Sequence, residues 1–392
     1  MTAARALPLD GITVVAFEQA VAGPIATRHL ADLGARVIKI ERPEEGDFAR
    51  DYDHDVRGLA THFVWLNRGK ESLAVDLKSA RGRRIVGELI ARADVFLHNT
   101  APGVVERLCL DGDTLLAANP RLVVVNISGY GTSGPRKDRK AYDLLVQAES
   151  GMVSVTGTPD TPVKTGVPNA DIAAGMYALT SVLSALLRRE RTGEGAVVDV
   201  SMFDSAVEWM GHQLYMQLYG GRPVPRMGLG HAAIVPYDAY PTADGRILIG
   251  VQNDRGWRTL VTEVFGAPES AEDPRFATNV DRVRNRAECD ALVAGFTARL
   301  PTAELDARLA AAGIPAAQLN TTAELVEHPQ LDERDRWRTV STEVGDVRGV
   351  LPPMTFRDVE LPMGPVPSLG EHNGAILAEL GLLDEDAARR NP

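Results

Sequence analysis

The chain has 392 residues, 44% hydrophobic and 24% charged, with a formal net charge of -11; this is the composition of a globular enzyme of one to three domains. No Lys/Arg block concentrates on one segment, which argues against nucleic acid as the main partner but leaves room for a local basic pocket. Two cysteines without metal-site spacing, Cys109 and Cys289, no apolar signal core at the N-terminus and no run of the length needed to cross a bilayer lead us to expect a reduced, cytoplasmic protein without membrane or metal partners.

Residues 12–17 read as a buried strand and 18–23 as a loop. Pro24 opens a helix that Gly34 ends, and 36–40 form the next strand. Such a crossover makes the two strands parallel. The pattern repeats with a helix over 80–93, a strand over 94–98, a helix after Pro102 and a strand over 121–127, indicating an α/β domain with a parallel sheet. A long apolar helix starts at Pro168–Asn169 and runs to about Arg189, with Met176, Leu179, Leu183, Leu186 and Leu187 at helical spacing. A strand over 196–201 and a helix from about 204 to 219 follow. Residues 220–230, rich in Gly, Pro and Arg, read as a linker or mobile loop. A hairpin turning at 243–245, helices near 256–265, 283–298 and 302–312, and a strand over 316–319 make a second domain. The tail from about 325 is a string of short elements ending in a helix near 375–380.

Several motifs are weak on inspection. Gly129-Tyr-Gly131-Thr-Ser-Gly134 matches G-x-G-x-x-G after a strand, but the Pro135–Lys140 stretch that follows shows no helix, so a turn of another kind is expected rather than a dinucleotide site. Asp51-Tyr-Asp53-His-Asp55 lacks the Gly and terminal Glu of a calcium loop and reads as a solvated acidic loop. There is no G-x-S-x-G, C-x-x-C, H-E-x-x-H or Walker loop. Arg42, Arg68, Lys70, Lys137, Arg139 and Lys140 are the candidate cations for a phosphorylated ligand at the carboxyl edge of the sheet, where open α/β sheets bind. Asp171 sits in the first turn of the long helix, with Asn169 as its expected cap. The helix dipole would hold its carboxylate ionised, as a nucleophile requires; the alternative role is capping alone.

The segments Ala22-Gly-Pro24, Leu33-Gly-Ala-Arg-Val-Ile-Lys-Ile-Glu-Arg42, Asn67-Arg-Gly-Lys70, Asn126-Ile-Ser-Gly-Tyr-Gly-Thr-Ser-Gly-Pro135, Ala141-Tyr-Asp143 and Gly195-Ala-Val-Val-Asp-Val-Ser-Met-Phe-Asp-Ser205 together resemble the family III CoA-transferases. The resemblance implies a Rossmann-like large domain with a parallel sheet (1–225), a smaller inserted α/β domain (226–325), a C-terminal segment returning to the large domain (326–392), and an interlocked homodimer. It implies an enzyme moving CoA from an acyl-CoA to a small carboxylic acid, with a dicarboxylate such as succinate among the acids expected and with no permanently bound cofactor. Carried over by position, Asp171 is the nucleophile that forms an aspartyl-CoA thioester, Arg42 binds CoA, and Ala22, Asn99, Pro102, Gly103, Lys140 and Tyr142 lie near the ligand. Ala101 departs from the family pattern, where Arg precedes the Pro. The related α-methylacyl-CoA racemases carry His where Tyr142 stands. A phenol is a poor base at neutral pH, which favours transfer over the alternative of racemisation; the intact motif around Asp171 argues against the second alternative, non-enzymatic acyl-CoA binding. The loop Met227–His231 is a candidate lid over the site.

Overall fold

A computed structural model describes residues 6–383, divided into two compact units: residues up to 152 with 165–212 and 333 onward, and residues 153–164 with 213–332.

The first unit is built on six parallel strands, β1 (Thr13–Phe17), β2 (Arg36–Glu41), β3 (Lys70–Ala74), β4 (Val95–His98), β5 (Val123–Ser128) and β6 (Ala196–Ser201). They are ordered β3-β2-β1-β4-β5-β6. The order reverses between β1 and β4, so the ligand crevice of this topology opens at the carboxyl ends of those two strands. The Val-rich and Ile-rich runs of β1, β2, β4 and β5 are buried on both faces, as a parallel sheet demands. On one face, the helix Ala80–Arg92, capped by Ser79, buries Ile85, Val86, Leu89 and Ile90 against Phe96 and Val124. The last helix, Asn373–Glu379, joins the same cluster through Ile376, and Asn373 bonds the backbone of Ala74 in β3.

On the other face the helices Ala22–Asp32 and Asn169–Thr192 cross closely. Gly175 makes this possible, since a Cβ there would stand 2.6 Å from the Ala22 carbonyl oxygen and 2.2 Å from Ile25 Cγ2. Against expectation, this 24-residue helix is long and apolar enough to cross a membrane; half of its most apolar stretch is buried in the protein, as in a core helix. Leu179 and Leu186 are buried in the core, while Leu183 and Leu187 are exposed.

The second unit holds an antiparallel sheet of β7 (Tyr237–Pro241), β8 (Arg246–Gly250) and β9 (Ala316–Gln318) around a core that includes Trp257, Val261, Cys289, Val293, Leu305 and Leu309. Residues 213–225, read from sequence as part of the first domain, belong here, and so do residues 153–164. The segment 220–230 is no free linker: Arg226 donates to the carbonyls of Ser154, Thr158 and Pro159, and the Gly228 N–H donates to Gly157. The expected helix over 204–219 is two, Met202–Trp209 and Gly211–Gly220. The sequence reading did not anticipate β3, the helix Thr61–Asn67, or the hairpin of β10 (Trp337–Val340) and β11 (Val347–Val350) in the first unit.

Candidate active site

Asp171 lies in the first turn of the Asn169–Thr192 helix, partly buried. Asn169 does not cap that helix; Pro168 occupies the cap position and offers no side-chain bond. The cap comes from elsewhere in the chain. Asp143 Oδ1 accepts the N–H groups of Ala170, at 2.8 Å, and Asp171, at 3.3 Å. Gln147 holds Asp143 in place by donating to Oδ2 at 2.6 Å, and its own carbonyl oxygen accepts from Thr165. The free N–H groups of the first turn are thus taken by a second carboxylate.

This arrangement overturns the expectation that the helix end keeps Asp171 ionised. Burial pushes its carboxyl up to about 7, and the negative charge of Asp143 adds to the shift. The half-exposed Tyr52 has its phenol raised to about 12 by burial, with smaller contributions from the charges of Asp47, Asp171 and Tyr142. Tyr52 packs against Phe48 and edge-on against His62, 5.5 Å between centroids. The acidic loop around Tyr52 is not merely solvated: Asp53 also caps the Thr61–Asn67 helix by accepting from the Thr61 N–H and hydroxyl.

The crevice at the carboxyl end of β1 is formed by Glu18–Gly23. Asn99, after β4, bonds Gln19 in both directions, accepting its N–H and donating to its carbonyl, each at 2.8 Å. Ala20 takes a left-handed backbone (φ 61°), a conformation costly for a residue with a Cβ, and Asp47 Oδ1 steadies it by accepting its N–H. A Cβ on Gly23 would come within 2.8 Å of Glu18 and 3.2 Å of Asn99. Below this loop lies a buried ionic network. Glu18 pairs with Lys70 at 2.7 Å, Lys39 with Asp47 at 2.8 Å, and Glu41 accepts from Arg50 and Ser72.

The sequence-selected residues do not form one cluster. Arg42 follows β2 at the carboxyl edge with its guanidinium exposed, within 3.2 Å of Glu45. Pro102 and Gly103 line a cavity of about 300 Å³ with His98, Asn126 and Lys137; Gly103 adopts φ 76° there, and burial lowers His98 to about 4, so its imidazole is neutral. Lys140 and Tyr142 are exposed near Asp143, and Ala22 is buried at the start of its helix. Two of the candidate cations, Arg68 and Lys70, are corrected. Arg68 and Lys70 precede and open β3, at its amino end, and are buried in pairs with Asp32 and Glu18. Arg139 pairs with Glu149. The Arg68 and Lys70 charges are taken up by these buried pairs, whereas Arg139 is exposed and shares Glu149 with Arg136. Gly129–Gly134 forms turns without opening a helix.

Residues 9–373 match CoA-transferase family III. The chain is 36% identical to succinate–glutarate CoA-transferase of Agrobacterium fabrum over 393 residues, covering 98% of each. It is 38% identical to acetyl-CoA:oxalate CoA-transferase of Acetobacter aceti over 330 residues, 84% of this chain and 85% of that one. The crystal structure of a CaiB/BaiF family protein from Brucella suis superposes with a TM-score of 0.84 at 39% identity, covering 96% of this chain and 100% of that one.

Proposed function

The chain belongs to CoA-transferase family III and is a CoA-transferase, and on that basis we propose that Asp171 is its nucleophile and that small dicarboxylates are its acids. The carrying observation is a partly buried carboxyl that burial and Asp143 push up to about 7, set in the first turn of a helix beside Tyr52. A carboxylate kept poor in compensating charge is reactive once ionised, and near neutral pH about half of it is.

In this reading Asp171 attacks the donor thioester carbonyl, forming a mixed anhydride and releasing CoA thiolate. The thiolate attacks the Asp171 carbonyl, releasing the donor acid and leaving an aspartyl-CoA thioester. The acceptor carboxylate displaces CoA from that thioester. The thiolate then takes the acceptor's acyl group from the anhydride, and Asp171 is free again. Each step conserves an activated acyl group, provided water is excluded. Arg42, with the Asn99–Gly103 loop, Ala22, Lys140 and Tyr142, is assigned to CoA, since each lies on a segment that follows a strand of the parallel sheet at its carboxyl end. The relatives named for succinate, glutarate and oxalate support short dicarboxylates as the acids.

A homodimer belongs to the same proposal. The helix Gly211–Gly220 buries none of its residues and exposes Leu214, Tyr215, Leu218 and Tyr219, an apolar face that a second chain would cover. Light scattering on dilute protein showing a monomer of the chain's 42.2 kDa would remove it. The chemistry is tested by incubating the enzyme with succinyl-CoA and hydroxylamine and mapping peptides: a hydroxamate at Asp171 is expected, and its appearance elsewhere sinks the assignment. Succinyl-CoA offered with a panel of free acids, read by mass, identifies the acceptor.

A further inference from the structure

A second cavity, about 420 Å³, lies in the first unit between the helices Ala22–Asp32 and Thr61–Asn67 and the β10–β11 hairpin. Its volume is that of a small-molecule site. Asp171 is not in its lining. Arg28 and Arg68 flank the single carboxylate of Asp32. Arg68 takes both oxygens, at 3.0 and 2.9 Å, while Arg28 Nε stays 3.9 Å away. Burial lowers Arg28 to about 10, leaving it charged at neutral pH, and lowers the adjacent His29 to about 3, leaving it neutral. Two guanidiniums for one carboxylate leave at least one positive charge in excess.

The donors are also in excess. Arg28, its side chain 8% exposed, keeps a buried Nε–H that bonds nothing in the protein, and so does Trp337 with its buried Nε1–H. Both residues line the cavity, and among the described residues its lining contains no Asp or Glu. Arg348 stands over the Trp337 ring at 4.4 Å, and Val64, Trp65, Val340 and Val347 supply apolar wall. Buried donors and one positive charge in excess call for an acceptor-only group, and the walls call for an apolar body.

We propose that this cavity is a binding site for a free carboxylic acid with an apolar body, separate from the Asp171 site. The test titrates the full-length protein with phenylacetate, followed by tryptophan fluorescence (Trp65 and Trp337 line the cavity) and by calorimetry. Saturable binding is expected, with the neutral isostere phenylacetamide roughly tenfold weaker or worse, as loss of a charged hydrogen bond requires. Trp337→Phe, which keeps an aromatic ring of smaller size and deletes the N–H, and Arg348→Ala on the surface should each weaken phenylacetate several-fold without unfolding the protein. Arg28→Gln should weaken it more. Asp171→Ala should bind it unchanged, whether or not Asp171 is the nucleophile, and saturating CoA should not compete. Equal affinity for acid and amide, competition by CoA, or loss of binding in Asp171→Ala overturns the proposal. A carboxylate supplied by a second copy of the chain overturns it too; in that case phenylacetate fails to saturate and Arg28→Gln lowers the oligomer mass.

Discussion

Two groups of buried acids lie near the same crevice, and they are treated in opposite ways. Around Glu18, Asp47 and Glu41, every carboxylate meets a cation or several N–H groups. Burial pushes Asp47 and Glu41 up, yet Lys39 and Arg50, with the hydrogen bonds around them, outweigh it and hold both below their ordinary values. At Asp171 there is no such compensation: burial raises the carboxyl and the neighbouring Asp143 raises it further. The paired group fixes the Glu18–Gly23 loop, including the left-handed Ala20. The unpaired one is left poised for chemistry, so the difference separates a scaffold from a reactive centre.

The largest effect should come from removing the reactive acid. Asp171→Ala is expected to lower the transfer rate by roughly 10⁴-fold or more, the scale on which covalent catalysts lose activity with their nucleophile. Circular dichroism and acyl-CoA binding should change little, since Asp143 caps the helix independently of this side chain. Substantial residual transfer in a clean preparation would abolish the distinction drawn here.

The scaffold should respond in stability instead. Lys70→Met leaves Glu18 buried with only Lys39, at 3.5 Å, to answer its charge. Breaking a buried pair by deleting one member costs about 3–5 kcal/mol, which should shift the urea midpoint with an unchanged slope. A shift below about 1 kcal/mol on the same scale would mean that the network is not the clamp on the loop.

Much of this architecture was legible because its signals are local. The strands and crossover helices of the first unit follow from apolar runs and glycine stops, and β6 appears within the predicted bounds, 196–201. Asp171 was found from its helix start and the surrounding family pattern. What failed to show depends on distance in the chain. Asp143 caps a helix 27 residues away, and a short Asn nearby was the more natural local choice. Arg68 and Lys70 have the letters of ligand-binding cations; only the folded chain shows them buried against Asp32 and Glu18. Tyr52 was hidden in an acidic loop that reads as solvated, and its packing on Phe48 and His62 shows only in the folded chain. The interruptions at Met210 and Asn285 break helices whose apolar periodicity runs on.

The contrast also predicts opposite pH dependences. Asp47 and Glu41 contribute stability above the unfolded carboxylate range, and it is lost as acid protonates them in the folded state. Asp171 binds its proton more tightly when folded, so the folded state is penalised as pH rises from 3.8 towards about 7 and carries the full penalty above that. Asp171→Asn removes an ionisable group of similar shape. At pH 8 the variant should be more stable than wild type by on the order of 2 kcal/mol, a value discounted for partial exposure. At pH 4 the two should melt together, and a variant no more stable at pH 8 than wild type would place Asp171 in a far wetter setting.

The smallest and sharpest test is Asp143→Asn. Asparagine keeps an oxygen for the N–H groups of Ala170 and Asp171, so the helix start should persist. The substitution removes the nearby negative charge while leaving the burial of Asp171 alone. Because burial is the larger cause of the shift and Asp143 the lesser, the acid limb of the transferase pH profile should move down from about 7 but stop well above the ordinary aspartate value of 3.8. The expected displacement is about one pH unit or less, equivalent to about 1 kcal/mol of electrostatic coupling. Thermal stability near pH 8 should rise slightly as like-charge repulsion disappears. A limb that stays in place would show that Asp143 acts on Asp171 only through the helix cap; a limb that falls to the free aspartate range would make Asp143, rather than burial, the source of the raised carboxyl.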